Sequence, residues 1–186
     1  MAHRTIAQKA DTIATFRHAH VFLMETLARW TPITPQLEVK ILFGRHLWEC
    51  AQHADVLGHR TSELRAGLHY TRPPVAAYKA VLAEIAAYEN PTDRVASIYD
   101  AILPDLIDRY AVLLRDADPL LDQPSIRLWE RIHGDLRRMR VEREELLADA
   151  TLAPATPGWA DALKQRLAAT AEFTDFRPLV KEAATA

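Results

Sequence analysis

The stretch that decides the fold is QLEVKILFGRHLWECAQHADVLGHRTSELR, residues 36–65. It follows a turn rich in threonine and proline at 31–35, and an Ala-Gly pair ends it. Its clearest apolar residues recur at spacings of three and four, and they are Phe43, Leu47, Cys50, Ala54 and Leu57. That spacing is typical of an amphipathic α-helix with one buried face. The stretch therefore predicts a long helix, which we call the second long helix.

Turn and capping residues elsewhere in the sequence predict three more long helices. The first covers about 5–30, the third about 92–116 with Thr92 as its N-cap, and the fourth runs from Pro124 to about 150. Pro104 lies inside the third helix, where proline produces a kink. A shorter helix is predicted at about 75–88, and another at about 159–171 after a linker rich in proline, threonine and alanine at 151–158.

The lengths of the connections predict how these helices are arranged. The first and second helices, and the third and fourth, are joined by short turns, so each pair should be antiparallel neighbours. The segment between the second and third helices is long enough to travel the length of a bundle. We therefore expect an all-α fold, a four-helix bundle with one long helical crossover. Residues 1–150 would form the bundle, and 151–186 a linker and a short helix packed on it, within a single domain.

Composition excludes several classes of protein. The 186 residues are 49% hydrophobic and 26% charged, with five glycines, which favours an ordered helical chain. A net charge of −2 argues against nucleic-acid binding, and no apolar run is long enough to span a membrane. The single cysteine, Cys50, has no partner for an internal disulfide, and we expect it to be a small buried apolar residue. These features predict a cytoplasmic protein.

Polar residues on the apolar faces indicate a metal site. His20 lies in the middle of the apolar stripe of the first helix, while His46, Glu49 and His53 share one ridge of the second. Glu-x-x-His on the fourth helix is a pattern that projects ligands into the core of metal-binding bundles. Counting from the turns brings these groups to a similar height. The predicted metal ligands are His20, His46, Glu49, His53, Glu130 and His133.

A second set of residues would line a pocket beside this site. Arginine on the inner side of the fourth helix suits a substrate carboxylate, although acidic partners on neighbouring helices would explain it equally well. Aromatic residues there would contact substrate, or would simply pack in the core. The predicted substrate-binding residues are Trp48, Tyr99, Tyr110, Trp129 and Arg140, with Arg143 beside them.

The segment His46-Leu-Trp-Glu-Cys-Ala-Gln-His53, with Arg60 and Glu63-Leu64-Arg65 after it, resembles uncharacterised bacterial proteins of the ferritin-like superfamily. The resemblance covers about residues 5–150. It implies two metals, usually iron, bound by four carboxylates and two histidines, and chemistry with dioxygen or iron storage. The sequence departs from that pattern in having Glu-x-x-x-His on the second helix and His20 in place of a carboxylate on the first.

The third helix departs from the pattern as well. Its predicted inward face carries no carboxylate and consists of Ile98, Tyr99, Ile102, Leu106, Tyr110 and Leu113. Asp105 should lie about 120° from the centre of that face and Asp108 nearly opposite it. Either the kink at Pro104 turns an aspartate inward, or this helix supplies no ligand.

Three functions remain open on the sequence alone. The first is a metal-dependent oxidoreductase or oxygenase acting on a small molecule, with iron, manganese or zinc as the metal. The second is a non-catalytic ferritin-like bundle that dimerises or binds a partner. The third is a metal-free bundle that binds a small organic ligand between its helices. A homodimer is compatible with each of them.

Overall fold

The structure is a computed structural model that describes residues 4–148 and 158–176, and its regular elements are helices. The only β pairing among these residues is an isolated bridge between Pro74 and Thr174. The all-α class is confirmed. The helices are α1 (Ile6–Ile33), α2 (Leu37–Glu63), α3 (Ala76–Ala86), α4 (Pro91–Ala96), a π-helical segment (Ser97–Ile102), α5 (Leu103–Asp116), α6 (Gln123–Leu146) and α7 (Trp159–Ala168).

Local sequence explains where the helices begin. Thr5 caps α1 in a reciprocal capping box with Gln8. The predicted N-cap Thr92 is wrong by two residues: Asn90 caps α4, and its side chain accepts a hydrogen bond from the Thr92 amide. Pro91 can then occupy the first turn, where the missing N–H costs nothing. No helix in the described part of the chain combines the length and apolar character that a membrane span requires.

Contacts between the helices fix their directions. The third long stretch consists of α4, the π-helical segment and α5. Against α1, Trp30 meets Arg94, His20 meets Tyr110, and Lys9 meets Asp122 just beyond the end of this stretch, so residue numbers rise along one side as they fall along the other. Contacts between α2 and α6 run in opposite directions in the same way: His46 bonds Glu142, and His53 bonds Asp135. The segment 64–90, which contains α3, connects α2 to α4.

The π-helical segment lies directly before Pro104. Proline has no N–H to return to the carbonyl of Asp100, and the Leu103 amide instead bonds the carbonyl of Ile98, five residues back. One extra residue in a turn delays the helical rotation by about 100°. The third long stretch therefore presents different sides before and after this segment: Tyr99 faces His46 on α2, whereas Tyr110 faces His20 on α1.

The predicted inward face of this stretch is confirmed, since all six of its residues are buried. Asp105, expected about 120° from the centre of that face unless the kink at Pro104 turned it inward, is buried, since its side chain is 4% exposed. It accepts hydrogen bonds from the Tyr78 hydroxyl and from Arg109 Nε, each at 2.8 Å. Asp108 is exposed, as expected. The rotation at Pro104 therefore buries an aspartate, but its hydrogen bonds go to α3 and along α5.

The buried face of α6 differs from the predicted one by a small rotation. Two stripes of the same helical period share Trp129 and Leu136, and the predicted stripe continued through His133 and Arg140. Arg140 is exposed and His133 only half-buried. The helix buries the more apolar alternative, since that removes more hydrocarbon from water. Its buried residues are Ser125, Trp129, Ile132, Leu136 and Met139.

The C-terminal helix α7 packs against the π-helical segment, α3 and α5. Leu163, Leu167 and the following Phe173 are buried against the core. Arg109 of α5 donates to the carbonyls of Leu167 and Thr170, both at 2.9 Å, and so satisfies the end of α7. The predicted linker at 151–158 lies outside the described residues except for Gly158, which precedes α7.

Candidate metal centre

A ladder of polar contacts joins α2 to α6 beside the apolar core. His46 Nε2 lies 3.1 Å from Glu142 Oε2, and His53 Nε2 lies 3.1 Å from Asp135 Oδ2. Between them, Arg138 donates to Glu49 Oε1 at 2.9 Å. Residues at spacings of three and seven fall on one side of a helix, so the ridge 46, 49, 53 meets a matching ridge 135, 138, 142.

Hydrogen bonds define the tautomer of His46, which is fully buried. A carboxylate can only accept, so the proton on the imidazole lies on Nε2 and points to Glu142. Its Nδ1 then accepts from the Tyr99 hydroxyl at 2.8 Å. The neutral ring thus has both nitrogens satisfied, and burial lowers the pKa of His46 although the Glu142 contact raises it.

His20 and His53 form a second buried pair, with ring centroids 4.8 Å apart and planes at 76°. Each ring is fixed through Nε2: His20 by the Tyr110 hydroxyl at 2.9 Å, and His53 by Asp135. Neither Nδ1 has a hydrogen-bond partner, and both are buried. Burial, together with the nearby His53 charge, lowers the pKa of His20 well below its ordinary value. Burial also lowers the pKa of His53, although Asp135 acts in the opposite direction.

Ligand atoms of Glu49, His53 and Asp135 all lie within 4.8 Å of one another. Metal–ligand distances of about 2.0–2.2 Å place neighbouring ligand atoms roughly 3–3.6 Å apart, so small side-chain rotations would complete this site. His53 is buried, while the Glu49 and Asp135 side chains are 28% and 15% exposed. The cluster therefore combines one imidazole, two carboxylates and a side open to solvent.

The Arg138 guanidinium lies among the same carboxylates that would bind a metal ion, so the two would compete for them. Its guanidinium bonds Glu49, and it lies 3.1 Å from Asp135 and 3.4 Å from Glu142. The Arg138 side chain is 47% exposed, so it can rotate into water. A divalent ion would replace one positive group by another between the same carboxylates.

Three of the six predicted metal ligands, His46, Glu49 and His53, lie at the interface of α2 and α6, and His20 on α1 packs against His53. Glu130 is exposed on α6, and His133 is half-buried. Among the described residues, neither belongs to a group of three whose ligand atoms converge. The rotation of α6 explains this, because it turns the Glu-x-x-His face away from the buried side.

The predicted substrate-binding residues are dispersed. Tyr99 and Tyr110 are buried and hold the histidines, whereas Trp48 is 65% exposed and Arg140 is exposed. Trp129 lines a cavity of about 340 Å³ between the start of α1 and the α5–α6 turn, and its indole N–H has no partner. The remaining residue, Arg143, donates to Asp100 at 2.9 Å. They do not form one pocket.

Asp135, Arg138 and Glu142 were not predicted from the sequence. Their signal was present as a ridge of alternating charge on α6, spaced like the His46–Glu49–His53 ridge that it meets. It could be recognised only with the correct rotation of α6. No family model matches the chain, and neither a curated protein nor a solved structure matches it.

Replacing Tyr110 by phenylalanine should destabilise the protein by about 1–3 kcal/mol, because His20 would lose its hydrogen bond inside the core. Urea unfolding followed by circular dichroism measures this change. Tyr88→Phe is the matched control, since its hydroxyl bonds Glu84 at the exposed surface. Equal destabilisation by the two substitutions would show that the His20–Tyr110 bond contributes no more than a surface contact.

Proposed function

We propose that this chain is a metalloprotein that binds one divalent first-row metal ion through Glu49, His53 and Asp135 and uses it in oxidative chemistry on a small molecule. The convergence of these three side chains between α2 and α6 carries the proposal. Imidazole suits iron and zinc, and carboxylates suit manganese, so the mixed set fits the metals expected from sequence.

A ferritin-like arrangement of the helices is part of the same proposal. Short turns join α1 to α2 and α5 to α6, and the long segment 64–90 separates the two hairpins. The contacts of α1 and α6 make α2 and α5 run in the same direction, as a long crossover requires. In that arrangement the candidate ligands lie on neighbouring antiparallel helices.

The surroundings of the site suit metal binding and oxidation. His53 is held in place from behind by the His20 ring, which Tyr110 fixes in turn. This ring packing restricts the orientation of the His53 imidazole. The partly exposed Glu49 and Asp135 leave coordination positions accessible to dioxygen or a small substrate, and Tyr110 supplies an oxidisable phenol one side chain behind the ligand.

A non-catalytic bundle is the second candidate, and Arg138 favours it. This one guanidinium approaches three carboxylates, and Arg45 and Arg131 approach two of them at 3.5 and 3.8 Å. Three arginines then balance three acids without a metal. In this alternative the ladder holds α2 against α6 and performs no chemistry.

Metal content of untagged protein distinguishes the two functions. After anaerobic incubation with Fe(II) or Mn(II) and dialysis, we expect mass spectrometry to find one equivalent of bound metal in the wild type. His53→Ala and Asp135→Asn should lose it. His133→Ala is the matched control and should retain it. Loss in His133→Ala alone would contradict the proposed ligands. Oxygen uptake by Fe(II)-loaded protein, abolished in His53→Ala, would then support oxidative chemistry.

Arg138→Gln tests whether Arg138 competes with a metal ion or only pairs with the carboxylates of a metal-free ladder. Removing a positive charge about 4 Å from the site should raise metal affinity at least tenfold, measured by competition with a chelating dye. A variant that is destabilised and still binds no metal would favour the non-catalytic ladder.

A further inference from the structure

A second group of convergent side chains lies near the C-terminal end of α2, where the chain leaves the helix. Asp55 and His59 are one helical turn apart on its exposed face, and His69 approaches them from the segment after the helix. Asp55 Oδ1 lies 3.8 Å from His59 Nε2 and 3.8 Å from His69 Nε2. The two imidazole rings have centroids 5.3 Å apart.

The backbone holds His69 at this place in an unfavourable conformation. Its φ is 55°, in the left-handed region, which costs roughly 1–2 kcal/mol for a residue other than glycine. Its amide donates to the Gly58 carbonyl at 3.1 Å, so the chain folds back over the last turns of α2. Thr61 reinforces the turn by donating to the carbonyls of Gly58 and Gly67.

Gly58 makes room for the ring. A Cβ at this position would overlap His69 Nδ1, so the imidazole lies directly on the helix backbone. Glycine inside a helix costs about 1 kcal/mol relative to alanine. The chain thus accepts two unfavourable residues, and their common result is the position of one histidine beside Asp55 and His59.

The distances and charges fit a cation better than hydrogen bonds. A separation of 3.8 Å exceeds the 2.7–3.2 Å of a hydrogen bond. The three ligand atoms lie within 4.8 Å of one another, so small side-chain rotations would bring them to the roughly 3.3–3.6 Å between ligands of one tetrahedral ion. Within the described chain, His59 and His69 are the only basic groups within ion-pair distance of Asp55. The neighbouring Arg17 donates instead to the Ala54 carbonyl and the Thr71 hydroxyl. The Arg17 charge acts on Asp55 only from beyond ion-pair distance, whereas Arg138 forms ion pairs with Glu49 and Asp135.

We propose that Asp55, His59 and His69 bind one divalent ion of the Zn²⁺ class, which ties the segment after α2 back onto the helix. Two imidazoles and one carboxylate suit zinc, nickel or copper, and their exposure leaves further positions to water. Because the ion binds only the folded segment, it stabilises the protein by mass action. The site is independent of the one at Glu49, His53 and Asp135.

Isothermal titration of the metal-free protein with Zn²⁺ tests this site. We expect one equivalent of Zn²⁺ to bind, and its affinity to fall about 100-fold or more in His69→Ala and in Asp55→Asn. Even residues that only hydrogen-bond to a ligand contribute 10–100-fold to metal affinity. His18→Ala, which removes a histidine elsewhere, should change nothing. Gly58→Ala keeps all three ligands but displaces the His69 ring, and should weaken binding about tenfold.

Two further results keep this test decisive. His53→Ala should retain this equivalent, so failure of the site at Glu49, His53 and Asp135 would leave it intact. In the His53→Ala background, where the first site is absent, Zn²⁺ should raise the melting temperature with or without His18→Ala, but not after His69→Ala or Asp55→Asn is added. Unchanged Zn²⁺ binding in both ligand variants, or equal loss in His18→Ala, would overturn the proposal.

Discussion

The free energy of unfolding of the metal-free protein is expected to fall as the pH drops below about 6.5. Burial lowers the pKa of His20, His46 and His53 below the ordinary value of 6.5. Below that pH the unfolded chain takes up protons that the folded protein excludes. The contribution of these histidines to stability is therefore fully present above about pH 6.5. It is lost as the pH falls from there toward their lowered pKa values in the folded protein.

Each of these histidines contributes a slope of at most about 1.4 kcal/mol per pH unit, so the three together set an upper limit of roughly 4 kcal/mol per unit. Urea denaturation in the presence of a chelator measures the slope. His20→Leu should remove about a third of it. Leu23→Ala, one turn further along the same buried stripe, should destabilise the protein without changing the slope. An equal slope in His20→Leu and the wild type would contradict the burial of a neutral His20.

Replacing Asp105 by alanine should destabilise the protein by about 3–5 kcal/mol, because it leaves a largely buried arginine without its carboxylate. Asp105 is 4% and Arg109 13% exposed, and Asp105 also accepts from Tyr78. Burial, and after it the Asp105 charge, raise the pKa of Tyr78 well above its ordinary value, so the hydroxyl remains a donor. The Tyr78 hydroxyl would also lose its acceptor in Asp105→Ala, which adds to the loss of stability.

Two measurements examine this expectation. Urea unfolding should show the large loss for Asp105→Ala and a change within about 0.5 kcal/mol for Asp108→Ala, at an exposed position of the same helix. Because Arg109 also holds the end of α7 through Leu167 and Thr170, amide hydrogen exchange in α7 should accelerate in Asp105→Ala. Similar stability of the two variants would show that Arg109 is satisfied without its carboxylate.

Much of the helical layout could be predicted from the sequence. Proline turns and apolar periodicity locate the long helices to within a few residues, and they also predict the burial of Cys50. The partners of the histidines could not be predicted. Two stripes of equal period on α6 differ only in whether Ile132 and Met139 or His133 and Arg140 are buried, and the packed core decides between them. The change in helical rotation before Pro104 could not be predicted either. The extra residue in the π-helical turn decides which helix Tyr99 and Tyr110 contact.

The charged ladder between α2 and α6 also discriminates between alternative registers of these helices. Apolar residues repeat at each turn, so a slide of α6 by one turn would still bury hydrocarbon. A slide in one direction would bring Glu49 opposite Asp135, and a slide in the other would bring it opposite Glu142. Either places two carboxylates face to face and leaves Arg138 displaced, which costs free energy. The polar side chains therefore select one alignment among several that the apolar side chains would accept.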